Sequence, residues 1–106
     1  MKNIENIECD YDCPVRKTAD IIGGKWTTLI VRDLLGGTKR YSELQRSLGN
    51  VSPKVLSERL KELEKSKIIR KKIYPTVPPK TEYSLTPLGQ QLKNVVLAMN
   101  DFGTKL

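Results

Sequence analysis

Two cysteines, Cys9 and Cys13, form a C-x3-C pair and are the strongest nucleophiles in the sequence. The chain has no histidine, which removes Ser-His-Asp and Cys-His catalysis, zinc sites with imidazole ligands and histidine pH switching. With no second cysteine pair, a four-ligand zinc site is not available within one chain. What remains is thiol chemistry at Cys13. Pro14 is suited to the first position of a helix, so Cys13 precedes the first turn, where the helix dipole, Arg16 and Lys17 favour a thiolate while Asp10 and Asp12 work against it. A structural or idle thiol is the competing reading. No phosphate loop, metal constellation or nucleophile with a base is present, so neither an enzyme nor a cofactor or metal is expected. Glu58, Glu62 and Glu64 read as a solvated helix face.

The other chemistry-bearing residues are basic. Residues 1–38 carry 5 basic and 6 acidic side chains, residues 39–80 carry 12 and 4, and residues 81–106 carry 2 and 2, so the net charge of +7 divides as −1, +8 and 0. Charge segregated in this way predicts a localised surface for a polyanion, with nucleic acid as the first candidate. Solvation is the competing reading for each lysine, and about half of the twelve are expected to touch nothing.

These residues need elements to hold them. A helix is expected from Pro14, carrying Val15, Thr18, Ala19 and Ile22 and stopping at Gly23-Gly24. A second carries Trp26, Leu29, Ile30 and Leu34 to Gly36-Gly37, and its Trp reads as a core plug. A third starts with Ser42 as N-cap, packs Leu44 and Leu48, and stops at Gly49-Asn50. The strongest local signal follows: Ser52 as cap, Pro53 at the first helical position and a staple between Val51 and Leu56 open a fourth helix. Its core stripe is Leu56, Leu60 and Leu63, which leaves Lys54, Ser57, Glu58 and Lys61 available to a partner.

From Ile68 the period changes to two, with Ile69, Lys71 and Ile73 on one side and Arg70, Lys72 and Tyr74 on the other. The stretch from Pro75 to Lys80 contains three prolines and reads as a loop; pairing resumes at Glu82-Tyr83-Ser84-Leu85, giving a hairpin. Thr86-Pro87 starts a last helix with Leu88, Leu92, Val95, Val96, Met99 and Phe102 along one side, and Leu97 and Ala98 make it more apolar than one small core requires.

A tight turn between two helices, followed by a basic hairpin, is a helix-turn-helix with a wing. Ser52, Pro53, Lys54 and Ser57 lie at the end of the fourth helix that can meet base edges and phosphate. Arg59 is a phosphate or base contact unless it turns toward the third helix, and Lys61 suits phosphate. Ser42, Arg70, Lys72 and Lys80 are candidates for the neighbouring backbone or the narrow groove.

The length of 106 residues bounds the chain to one domain, expected over residues 13–106 after a flexible arm at 1–12. A hydrophobic content of 38% with 29% charged residues is that of a soluble globule. No apolar run approaches the ~20 residues that span a bilayer, and Met1 to Cys9 lacks a secretory signal pattern, so a cytoplasmic location without membrane association is expected.

The segments CPVRKTADIIGGKWTTLIVRDLL, RYSELQRSLGNVSPKVLSERLKELE and PPKTEYSLTPLGQQL resemble the HxlR family of bacterial winged-helix transcriptional regulators, relatives of the MarR type. The resemblance implies an α+β, mostly α fold, with a β-hairpin wing and terminal dimerisation helices. It implies a homodimer on double-stranded DNA, more in keeping with a repressor than an activator. The interface would involve Val15, Val95, Val96, Met99 and Phe102. Two recognition helices would then lie about 34 Å apart, matching a pseudo-palindromic operator. In some members a cysteine in the Cys-Pro-Val setting of Cys13 senses oxidants or electrophiles, so an electrophile or small-molecule inducer is compatible with the resemblance. It does not extend to Cys9. Two rival readings remain. One is a winged helix that binds another protein; the other is an RNA-binding module, disfavoured because only 6% of residues are aromatic, too few for a stacking platform.

Overall fold

The computed structural model describes residues 13–106; the arm expected at 1–12, with Cys9, lies outside the described residues. In chain order the elements are α1 (Pro14–Ile22), α2 (Lys25–Leu35), β1 (Lys39–Arg40), α3 (Tyr41–Leu48), α4 (Pro53–Lys65), β2 (Ile69–Tyr74), β3 (Lys80–Leu85), α5 (Pro87–Gln90) and α6 (Lys93–Gly103). The three strands form one antiparallel sheet in the order β1-β3-β2.

The core gathers where α2, α3 and α4 converge on the base of this sheet. Ile30, Leu34, Leu44, Leu56, Leu60 and Leu63 are each 1% exposed or less, and each such side chain contributes about 1.5–3 kcal/mol of burial. On α2 the buried seam is Thr27, Ile30, Val31 and Leu34; Ile30 and Leu34 are buried as expected, while Trp26 and Leu29 pack half-buried at its margin.

Three local features differ from the sequence expectation. First, Ser42 is not the N-cap of α3. The helix starts directly from β1 with Arg40 as cap, because Lys39 and Arg40 pair with Tyr83 and Glu82 of β3. The Glu43 carboxylate accepts the Arg40 backbone N–H at 2.9 Å, so the orphan donor is satisfied by the third residue of the helix. Second, Lys80 lies in β3 opposite Tyr74 and not in the loop, which closes to residues 75–79. Third, the expected last helix is broken. Gln91 and Leu92 donate to the carbonyls three residues back, Leu88 and Gly89, and this tight turn separates α5 from α6. Gly89 makes the break workable: a Cβ there would lie 2.2 Å from the Ile68 carbonyl oxygen, so only glycine lets α5 sit against the start of β2. Leu88 is consequently half exposed and off the line of Leu92, Val95 and Val96.

The end of α4 is set with similar care. Ile68 N–H donates to Leu63 O at 3.0 Å and Lys67 N–H to Glu64 O at 2.9 Å, the paired bonds of a Schellman motif, with Lys67 in the left-handed region at φ 62°. Thr86 Oγ donates to the Lys67 carbonyl at 2.6 Å and accepts the Gly89 N–H at 3.1 Å, tying this turn to the start of α5.

Candidate nucleic-acid interface

The turn between α3 and α4 is built from local bonds. Gly49 adopts φ 73° and its N–H donates to Gln45 O at 3.1 Å, a conformation that favours glycine. Ser52 caps α4 by accepting the Val55 N–H at 3.1 Å, and Val51 and Leu56 are both buried as the staple requires. Leu56, Leu60 and Leu63 anchor one side of α4. Lys54, Ser57, Glu58 and Lys61 follow the i, i+3, i+4, i+7 spacing of a single face turned away from that anchor. Lys54, Glu58 and Lys61 are exposed and Ser57 is half-buried. Ser52 and Pro53 are exposed at the start of the helix.

Arg59 does not share this face. It projects from the flank, where its Nη1 pairs with Glu62 Oε1 at 3.2 Å, so its partner is on α4 itself and not on α3.

The hairpin leaves the core almost at once. Ile69 is buried, while residues 70–73 are exposed and Ile73 keeps 61% of its surface. The alternation read from the sequence is thus a property of the strand, not of burial. Arg70 and Lys72 stand on the stem, and the Lys72 ammonium lies 4.9 Å from the centre of the Tyr74 ring. The tip, residues 75–79, carries no charge. Ser42 and Lys80, distant in sequence, are brought together: a cleft between the start of α3 and the base of the wing is lined by Arg40, Tyr41, Ser42, Pro78, Lys80 and Thr81 among others.

An exposed polar face on the second helix of a helix-turn-helix, beside a hairpin with basic stems, is the geometry of a DNA reader. Comparison with known proteins decides the family. Residues 21–106 match the model of the HxlR-like helix-turn-helix family. The chain belongs to this family. It is 43% identical over 93 residues to YdeP, an HTH-type transcriptional regulator of Bacillus subtilis (strain 168), covering 88% of this chain and 73% of YdeP. A solved structure described as a MarR-family transcriptional regulator from Porphyromonas gingivalis W83 superposes with a TM-score of 0.88 at 43% identity, over 92% of this chain and 95% of that one. The redox regulator HypR in its oxidized form superposes with a TM-score of 0.83 at 39% identity, over 89% of this chain and 97% of its own. This HxlR-like chain is therefore a transcriptional regulator of the helix-turn-helix type with a winged-helix fold, and the family is one of DNA-binding regulators, not enzymes. No helix among the described residues is long and apolar enough to cross a membrane.

Two further regions of the HxlR-like fold bear on regulation. Cys13 is a free thiol, 2% exposed, and serves as the N-cap residue of α1. Separately, α1, the Gly23-Gly24 turn, α2 and α6 surround an apolar groove of about 650 Å³, to which Val15, Ala19, Ile22, Leu29 and Met99 contribute. A second apolar depression continues from Leu29 and Met99 along α2 and α6 to Leu35, Val96 and Leu97. No residue of α6 is fully buried, and Val15, Leu97, Met99 and Phe102 are each between 46% and 63% exposed. Of the expected interface residues, Val15, Met99 and Phe102 are thus exposed, while Val95 and Val96 pack half-buried against the core.

Tyr41, the first residue of α3, is half-buried beside the core. Its hydroxyl reaches α4, donating to Pro53 O at 3.3 Å and lying 3.4 Å from Ser57 Oγ. Arg40 is not legible in the sequence, because β1 is only two residues long and has no pattern of its own. Tyr83 on β3 closes this region from behind; burial first, then the nearby Glu64 carboxylate and Tyr41, raise its phenol above the ordinary tyrosine range.

Proposed function

We propose that the chain acts as a homodimer that occupies a pseudo-palindromic operator, represses transcription there and is released by modification of Cys13. The observation that carries this reading is the α4 face of Lys54, Ser57, Glu58 and Lys61, turned outward from the buried Leu56, Leu60 and Leu63 on the segment that holds all of the excess positive charge. In the major groove, Ser57 meets base edges and Lys54 and Lys61 meet flanking phosphates. Ser52 and Pro53 bring the start of α4 against the backbone. Ser42, Arg40 and Lys80, joined in the cleft beside the wing, suit a second phosphate, while Arg70 and Lys72 follow the neighbouring backbone along the wing stem. Arg59 joins them by giving up Glu62. An exposed pair contributes at most about 1 kcal/mol, less than the ~1.5–3 kcal/mol of a hydrogen bond to a charged group.

Dimerisation rests on the apolar groove of α1, α2 and α6, which a second copy would cover across a two-fold axis. The two recognition helices would then meet successive major grooves about 34 Å apart. For Cys13, the redox regulator HypR among the similar structures supports a sensing role. The thiol is buried, so an oxidant or electrophile reaches it when the chain around it opens, and a modified side chain at the N-cap position of α1 displaces that helix. Displaced α1 changes the spacing of the two recognition helices.

The test is selection of bound sequences from a random duplex pool at fixed salt, with the protein reduced and then treated with diamide or an aldehyde. A two-fold symmetric motif recovered only from reduced protein, and from Cys13→Ser protein under both conditions, supports the whole reading. A motif recovered from the native chain in both states removes Cys13 as the switch, and no motif at all removes operator binding and favours a protein-interaction module.

A further inference from the structure

We infer that Tyr41 is a positioning residue that makes Ser57 a hydrogen-bond acceptor toward DNA, so that the base pair beneath Ser57 is selected for an exocyclic amino group, that of adenine or cytosine. The inference rests on the DNA-binding reading above and adds to it which chemistry one position of the operator presents.

The argument turns on a single proton. The Tyr41 hydroxyl lies 3.3 Å from the Pro53 carbonyl oxygen and 3.4 Å from Ser57 Oγ. A carbonyl only accepts and a phenol has one hydrogen, so Tyr41 donates to Pro53. The arrangement in which both contacts are full hydrogen bonds has Ser57 donating its own hydrogen to the Tyr41 oxygen. A serine hydroxyl carries one hydrogen and two acceptor sites. With the hydrogen committed to Tyr41, the part of Ser57 that reaches the exposed face of α4 offers lone pairs only. In the major groove, lone pairs meet the N6 amino group of adenine or the N4 amino group of cytosine, whereas guanine O6 and N7 and thymine O4 are acceptors and repel them.

The surroundings reinforce this. Pro53 is four residues before Ser57, and its carbonyl is the usual intrahelical partner of a serine hydroxyl at that spacing. Within α4 that carbonyl also accepts the Ser57 backbone N–H, so with Tyr41 both of its lone pairs are taken and the Tyr41 oxygen is the acceptor left to the Ser57 hydroxyl. Glu58, the next residue on the face, is itself an acceptor when ionised. The centre of the face is thus built of acceptors, with the donors Lys54 and Lys61 toward its ends.

The test compares the native chain with Tyr41→Phe, Ser57→Ala and the double variant on duplexes that carry each of the four bases at every operator position, at several salt concentrations. The native chain is expected to prefer adenine or cytosine at one position per half-site. Tyr41→Phe is expected to reduce that preference about three- to tenfold, the range of one hydrogen bond, with an unchanged salt slope because no phosphate contact is altered. Ser57→Ala abolishes the preference, Tyr41→Phe adds nothing to it, and Ser57→Thr, which keeps the hydroxyl, retains it. Three results overturn the inference: a preference untouched by Tyr41→Phe, a uniform loss of affinity for all duplexes, or a native preference for guanine or thymine at the position that responds to Ser57→Ala. A native chain that selects no motif at all removes the DNA-binding reading and the inference with it.

Discussion

At the residue scale, the site separates groups that hold the recognition helix from groups that face outward. Ser52 belongs to the first set: it accepts the Val55 N–H, so Ser52→Ala should cost about 1 kcal/mol, read as a lower urea midpoint with unchanged slope. Lys54 and Lys61 belong to the second. Lys54→Ala or Lys61→Ala should leave the urea midpoint nearly unchanged and lower the slope of log affinity against log salt by roughly 0.9 each, the signature of one lost phosphate contact. Tyr83 gives a pH test. Its phenol is raised in the folded state, chiefly by burial. The native chain therefore holds this proton at pH values where the unfolded chain has lost it. The stabilisation is complete below the ordinary tyrosine pKa of about 10 and is lost as pH rises through the folded value. Melting temperature followed above pH 10 should fall more steeply for the native chain than for Tyr83→Phe; parallel curves would show that Tyr83 does not couple to folding.

At the element scale, most of the fold was legible because the sequence punctuates it. Ser52-Pro53 and Thr86-Pro87 both start helices as caps followed by proline, and the change of period at Ile68 marks the wing. What was not legible depends on distant partners. β1 exists only because β3 pairs with Lys39 and Arg40, and that pairing moves the start of α3 one residue ahead of Ser42. The break before α6 has no local signal in the apolar pattern; α5 is seated by the approach of Gly89 to the Ile68 carbonyl just ahead of β2, a contact between residues distant in sequence. The link from Tyr41 to Ser57 is hidden for the same reason, since a tyrosine hydroxyl has no period. The end of α4 offers a prediction at this scale. Lys67 sits at φ 62° in a Schellman turn where glycine bears no Cβ penalty. Lys67→Gly should raise stability by about 1 kcal/mol, measured by urea unfolding, and a destabilised variant would mean that the Lys67 side chain contributes more than its backbone costs.

At the scale of the whole molecule, the chain leaves one apolar face uncovered by its own core. Val15, Leu97 and Met99 are exposed where they line the depressions between α1, α2 and α6, and Phe102 is exposed farther along α6. Met99→Glu should give a folded monomer by sedimentation, with an unchanged circular dichroism spectrum and weakened binding to a two-fold site; a variant that remains dimeric would place the interface elsewhere. The wing is the opposite case, a part of the molecule that owes the core little. Past Ile69 the β2 side of its stem is exposed, and Val77 at the tip is fully so. Folding therefore places almost no constraint on what residues 70–79 are. Mutations can accumulate there without approaching the stability threshold that limits change in α2 or α4. The wing is where a lineage of such regulators can retune its grip on the duplex backbone while the rest of the chain is held in place by its own packing.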